Sequence, residues 1–256
     1  MNILQTAERQ SAHTQSDNPV FQRHLVAYQR AATQISGNVL EIGCGEGYGI
    51  PILAPHCTQY TAIDKYVTNL DNLPANAHFI QTNVPELTHF EANLFDFVVS
   101  FQVIEHIQND HLFLQEIHRV LKPGGVLLLT TPNSAQSLTR NPFHTREYSV
   151  AEMSQHFSKF FQVFEHLGIF GNQKMMDYHE KNRQSVKKIT RFDVLDLQHR
   201  LPRRVLQLPY NIANRLNRYL LSSQNQGLVS GISTQDFYFE VANATCLDHY
   251  VVATKR

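Results

Sequence analysis

The sequence predicts an α/β fold of the doubly wound kind, and three observations predict it. Short apolar segments recur as strand candidates, with stretches of helical spacing between them. These candidates are nearly continuous in apolar residues, as strands of a parallel sheet covered on both faces must be. A glycine-rich turn directly follows the first of them, where open α/β sheets bind their ligands.

Residues 1–17 are polar and aperiodic and read as a flexible leader. A helix is predicted over 18–32, with Phe21, Leu25, Tyr28 and Ala32 on one face and Gly37 ending the segment. Strands follow at 39–42, 60–63, 78–81, 95–101 and 126–130. Between the first two, 50–56 reads as a helix that tolerates Pro51 in its first turn. Between the last two, 110–121 is an amphipathic helix carrying Phe113, Ile117, Val120 and Leu121, and Lys122-Pro123-Gly124-Gly125 stops it. After a loop over 134–146, Ser149-Val150-Ala151-Glu152 is a capping box that opens another helix. A sixth strand is predicted over 160–168 and a seventh over 250–254. Residues 172–236 break the rhythm as a basic, partly helical insertion with apolar residues such as Phe192, Leu195, Leu206 and Leu208. The organisation expected is therefore a leader (1–17), a core (18–171), an insertion capping an acceptor site (172–236) and a final core strand (237–256).

Of the 256 residues, 42% are hydrophobic, enough for a substantial core. Lys+Arg and Asp+Glu stand at 22 each, so no overall charge draws the chain to nucleic acid or to an anionic membrane. The longest apolar run, 126–129, falls far short of the ~20 residues of a membrane span. The first residues lack the basic and apolar regions of a secretory signal. Cys44, Cys57 and Cys246 are widely spaced, forming neither a disulfide framework nor a zinc pattern. A cytoplasmic protein with no metal is expected.

The densest chemistry is Glu41-Ile42-Gly43-Cys44-Gly45-Glu46-Gly47-Tyr48-Gly49. Glycines let a ligand approach the backbone where a Cβ would collide. The dinucleotide fingerprint G-x-G-x-x-G requires glycine where this chain has Tyr48, and Glu46 would repel a diphosphate while tolerating a sulfonium or an ammonium. Asp64 ends the second strand about 20 residues after Gly43, placed to accept hydrogen bonds from ribose hydroxyls.

These residues resemble a family. The segment 39–49 is similar to motif I of the class I S-adenosylmethionine (SAM)-dependent methyltransferases, and 62–64 to motif II. The segment 79–84 resembles the adenine-contacting strand end, with Asn83 in place of the usual Asp. The segment 95–107 resembles the "EH" variant of motif IV, and 121–127 the LKPGG segment before strand five. The resemblance covers 20–170. It implies a Rossmann-like seven-stranded sheet with an antiparallel last strand, the 18–32 helix as a lid, and SAM as cofactor with S-adenosylhomocysteine (SAH) as product. It also implies cofactor contacts by Tyr28, Glu41, Gly43, Cys44, Gly45, Gly47, Asp64, Lys65, Asn83, Val84, Phe101, Gln102 and His106.

Two histidines are the catalytic candidates. His106 follows strand four and suits a general base for a hydroxyl acceptor. His144 lies in Asn141-Pro142-Phe143-His144-Thr145-Arg146-Glu147-Tyr148, which resembles the acceptor-side loop of many bacterial small-molecule methyltransferases. Phe143, His144, Arg146 and Tyr148 are its acceptor-binding candidates. The function expected is methylation, at an oxygen, of a small-molecule acceptor such as a glycan, lipid or secondary-metabolite intermediate. The alternative is a catalytically silent SAM-binding protein that regulates or recruits partners. A nucleic-acid amino methylase is disfavoured, because Ser100-Phe101-Gln102-Val103 stands where its Pro-Pro-aromatic motif belongs.

Overall fold

The computed structural model describes residues 14–66, 72–191 and 197–256, which divide into two compact units. The larger comprises His24–Gln136, Thr145–Phe170 and Phe239–Arg256. Its sheet is ordered β3-β2-β1-β4-β5-β8-β6-β7. At its centre β1 (Asn38–Ile42) pairs in parallel with β2 (Gln59–Asp64) and with β4 (Phe95–Phe101). Outward from these, β3 (Ala77–Gln81) runs parallel to β2, and β5 (Leu121–Pro132) parallel to β4. The last strand, β8 (Asp248–Thr254), is inserted antiparallel between β5 and β6 (Val163–Gly171). The strand order reverses between β1 and β4, and their carboxyl ends lie side by side, Ile42 opposite Ser100. Ligands of such sheets bind at that switch point.

The parallel strands form because their Val, Ile, Leu and Phe runs can be buried on both faces at once. Helix α3 (Asp110–Val120) covers one face, capped by the Asn109 side chain, and lays Phe113, Leu114, Ile117 and Val120 against Leu40, Val98 and Leu129. Each such buried side chain stabilises the fold by about 1.5–3 kcal/mol. Helix α4 (Val150–Phe157) opens on the predicted capping box, in which Ser149 and Glu152 exchange hydrogen bonds with each other's backbone amides. Its Met153 and Phe157 join the same core.

The sheet has eight strands where the sequence predicts seven. The addition is β7 (Phe237–Val241), an edge strand whose alternation is too short to stand out. Strand β6 begins at Val163 rather than 160, because the Phe160 and Phe161 amides still bond to the Phe157 carbonyl. Strand β5 begins at Leu121, and its register with β4 slips from Phe95–Leu121 to Phe97–Val126. The four residues between bulge out, with Gly124 at φ +80. The helix predicted over 50–56 is one α turn, α2 (Ile50–Leu53), followed by one 3-10 turn, Ala54–His56.

The second unit joins the described residues up to Arg23 with Ser137–His144 and Gly171–Tyr238. The expected insertion over 172–236 thus shares its unit with two segments assigned elsewhere by the sequence reading. Its helices are α5 (Gln173–Thr190), α6 (Leu197–Arg200), α7 (Arg203–Gln224) and α8 (Gln226–Gly231). The first helix of the chain, α1 (Asn18–Ala32), begins here, and the Asn18 amide donates to the Val229 and Ile232 carbonyls at 2.8 Å. Most of the expected leader, 1–13, lies outside the described residues, as do Phe192 and Leu195. Gln15–Asp17 is a 3-10 turn rather than a loose end, because Arg218 pairs with Asp17 at 2.9 Å.

Candidate active site

The turn after β1 is held open by its own backbone. Gly43, Gly45 and Gly47 stand at φ +80, +57 and +79, the left-handed region that side chains disfavour. The Gly43 and Cys44 amides donate to the Ile63 carbonyl at 2.8 and 3.1 Å, tying the turn to the end of β2. A Cβ on Gly43 would collide with Val103, so the turn after β4 lies directly against it. A Cβ on Gly45 would meet no atom within 4 Å, so this glycine presents bare backbone to open space. Asp64 reaches the same place: Oδ2 accepts from the Gly45 amide at 3.0 Å and Oδ1 from the Tyr66 amide at 2.9 Å.

Beneath the turn is a buried carboxylate. Glu41 is 1% exposed, and its two oxygens accept the Tyr28 and Tyr60 hydroxyls at 2.6 and 2.5 Å. Burial pushes its carboxyl above the usual range, and the two tyrosine hydrogen bonds oppose that rise. The expectation that Glu41 touches the cofactor is therefore corrected: it positions Tyr28 and Tyr60. Tyr28 in turn abuts Gly49 and meets the Tyr48 and Phe101 rings edge-on, with centroids 5.4 and 4.9 Å away. Cys44 is also buried and offers a ligand no side chain.

Other expected contacts divide by exposure. Lys65 and Asn83 are exposed at the ends of β2 and β3. Val84 packs on the core cluster, so its side chain faces inward. Gln102 takes a left-handed backbone at φ +57 just past β4, a strained conformation of the sort that collects at functional sites. Its amide group bonds to Thr130 Oγ1 at 3.2 Å and Asp248 Oδ2 at 3.3 Å, which commits the side chain to the sheet.

His106 closes a 3-10 turn, Ile104–His106, after β4. Glu105 in that turn is buried and accepts the Thr131 hydroxyl at 2.9 Å. The Thr145 amide donates to the Glu105 carbonyl at 2.5 Å and its hydroxyl to the His106 carbonyl at 3.2 Å, pinning the turn in place.

The expected acceptor loop is split. Tyr148 is a correction: fully buried, it stacks on His156 and donates its hydroxyl to Asp110 at 2.6 Å, leaving no surface for an acceptor. Arg146 lies over the Tyr148 ring and 3.6 Å from both Asp110 and Glu152, so it supports the same core packing. Phe143 and His144 belong to the other unit. There Asn141 Nδ2 stands 2.8 Å from His144 Nε2, and the Phe143 ring meets Tyr210 edge-on. Sequence reasoning missed Tyr60 and Thr131, the partners of the two buried acids; neither lies in a motif, and only their strand register gives them away.

A glycine cradle at the switch point, with an acidic side chain ending the neighbouring strand, defines an α/β protein that binds a nucleoside-bearing cofactor. A methyltransferase-domain family model matches residues 15–168, and the chain belongs to that family, the class I SAM-dependent methyltransferases. It is 38% identical over 175 residues, 64% of this chain and 68% of the relative, to a "Probable S-adenosylmethionine-dependent methyltransferase" of Mycolicibacterium smegmatis. It is 27% identical over 149 residues, 54% of this chain and 51% of the relative, to a "Ubiquinone biosynthesis O-methyltransferase" of Rickettsia conorii. The chain thus spans between 51% and 68% of the length of these curated relatives. The YcgJ protein of Bacillus subtilis shares the fold, at a TM-score of 0.53 and 17% identity over 91% of this chain and 99% of that one. The cofactor is SAM, and the residues present fit it, with the bare backbone of Gly45 and the Asp64 carboxylate meeting at one turn.

Proposed function

We propose that this enzyme methylates an oxygen of a small-molecule acceptor, a glycan, lipid or secondary-metabolite intermediate, with His106 as general base. The observation that carries the reading is the contact between the two turns: Val103 fills the space beside Gly43, and His106 lies three residues further on. The likeness to a ubiquinone biosynthesis O-methyltransferase supports oxygen as the methylated atom.

Bound SAM supplies a methyl group already activated by its sulfonium. What remains for the protein is orientation and removal of a proton. The glycine cradle receives the cofactor's amino-acid end, and Asp64 accepts hydrogen bonds from its ribose. Tyr28 and Phe101, edge to face beside the turn, exclude water, with α1 as the lid that delivers Tyr28. His106 takes the hydroxyl proton as the oxygen attacks.

The test is a panel of sugar, phenol and lipid-linked hydroxyl acceptors, with methylated product and SAH followed by mass spectrometry. His106→Ala should lower kcat by about 10²–10⁴ while leaving SAM affinity within a few-fold. Unchanged turnover in that variant removes the general base, and products methylated only on nitrogen or carbon remove the oxygen assignment.

A further inference from the structure

Helix α7 is built inside out. Val205, Leu208, Ile212, Leu216 and Tyr219 recur at spacings of three and four residues, which sets five large apolar side chains on one face. All five are between 53% and 69% exposed. On the opposite face Asn217, 5% exposed, is turned towards α5. Its amide donates to Asn182 Oδ1 at 2.8 Å and its oxygen accepts the Ser185 hydroxyl at 2.5 Å. A helix on a water-facing surface normally buries the apolar stripe and exposes the amide. Single exposed apolar residues need no explanation, but a contiguous row of five marks a surface that meets something else.

Charge decides what it meets. Arg204 and Arg215, eleven residues or about three turns apart, line one edge of the stripe, and both are exposed. Helix α5, joined to α7 by the Asn182–Ser185–Asn217 hydrogen bonds, carries exposed Lys187 and Lys188 at its end. Residues 173–231 hold eleven Lys and Arg against four Asp and Glu, although the whole chain is neutral. Two copies of such a face would bring like charges together. An anionic bilayer surface accepts both features at once, its phosphates meeting the arginines and its acyl boundary the apolar stripe. No helix among the described residues is long and apolar enough to cross a membrane, so the contact is in the plane of the surface.

We infer that α7 is an interfacial helix that seats this protein on anionic phospholipid. The inference stands on this unit alone and does not depend on the acceptor or the general base proposed above. The experiment is co-sedimentation of the full chain with vesicles of phosphatidylcholine alone and of phosphatidylcholine mixed with phosphatidylglycerol. The protein should bind the mixed vesicles, release with added salt, and ignore phosphatidylcholine. Arg204→Gln with Arg215→Gln should weaken binding on the order of 30-fold, at about fivefold for each charge. Ile212→Asp with Leu216→Asp should abolish binding, while circular dichroism and SAM affinity stay as in the parent. Absence of binding, equal binding to both vesicles, or binding indifferent to both variant pairs overturns the inference. So does light scattering that shows a dimer of the parent which Ile212→Asp dissolves, because the stripe would then be a self-association surface.

Discussion

Replacing His166 by asparagine should change how the protein's stability responds to acid. Ser154 Oγ stands 2.9 Å from His166 Nδ1, His166 Nε2 stands 3.0 Å from His249 Nδ1, and His249 Nε2 stands 2.9 Å from the Tyr148 carbonyl. A carbonyl only accepts, so His249 carries its proton on Nε2 and accepts at Nδ1. His166 must then donate from Nε2 and receive the Ser154 hydroxyl at Nδ1. Both rings are neutral with every nitrogen engaged; a further proton at His249 Nδ1 would set two donors against each other, whereas one at His166 Nδ1 would turn the Ser154 hydroxyl from donor to acceptor. Burial, helped by His249 alongside, pushes His166 down to about 4. Burial lowers His249 as well, against the opposing pull of the Tyr148 carbonyl.

An unfolded histidine titrates near 6.5, so between about pH 6.5 and 4 the unfolded chain binds a proton that the folded chain refuses. The contribution of His166 is complete above about pH 6.5 and is lost as the pH falls towards 4. A shift from about 6.5 to about 4 corresponds to roughly 3 kcal/mol. Urea unfolding followed by circular dichroism, repeated across this range, measures it. At neutral pH His166→Asn should be the less stable protein by about 1–3 kcal/mol, from its lost hydrogen bonds. That deficit should shrink by about 3 kcal/mol, or reverse, as the pH approaches 4. Parallel stability curves for the two proteins would refute the reasoning.

Three further outcomes are expected. Gly49→Ala drives a Cβ into the Tyr28 ring and should cost about 1–3 kcal/mol together with SAM affinity; a melting temperature and a binding isotherm equal to the parent's would show that the ring yields freely. Tyr148→Phe should lose about 1–2 kcal/mol of stability through the Asp110 hydrogen bond yet keep turnover and SAM affinity; a tenfold fall in turnover at unchanged stability would return this residue to the acceptor site. Glu41→Ala strands two buried tyrosine hydroxyls and should cost about 2–5 kcal/mol in denaturant unfolding, with an unshifted midpoint counting against its positioning role.

Much of this could be read from the residues because the governing signals are local. The glycine turn, Asp64 at a strand end and the Ser149–Glu152 capping box all depend on neighbours close in sequence, and each stands where its motif predicts. What escaped depends on register between distant strands. Glu41 and Tyr60 meet only because β1 and β2 pair as they do, and His166 meets His249 only because β8 inserts between β5 and β6. Tyr148 was assigned to the acceptor because a polar tip in a loop looks available, whereas Asp110, 38 residues upstream, buries it by accepting its hydroxyl. The net charge of zero likewise hid an asymmetry, since the basic residues of 173–231 are balanced elsewhere in the chain.

The most direct test of the cofactor site is calorimetric titration of SAM and SAH into the parent protein and into Asp64→Ala, with circular dichroism to confirm that both are folded. Asp64 carries the ribose assignment and also holds the Gly45 amide at 3.0 Å, so it links both halves of the cradle. The parent should bind one equivalent of each ligand. The variant should bind them more weakly by about 1.5–3 kcal/mol, a factor of roughly 10 to 150. A folded variant with the parent's affinity would contradict the account, because the cofactor would then lie somewhere other than the turn between β1 and β2.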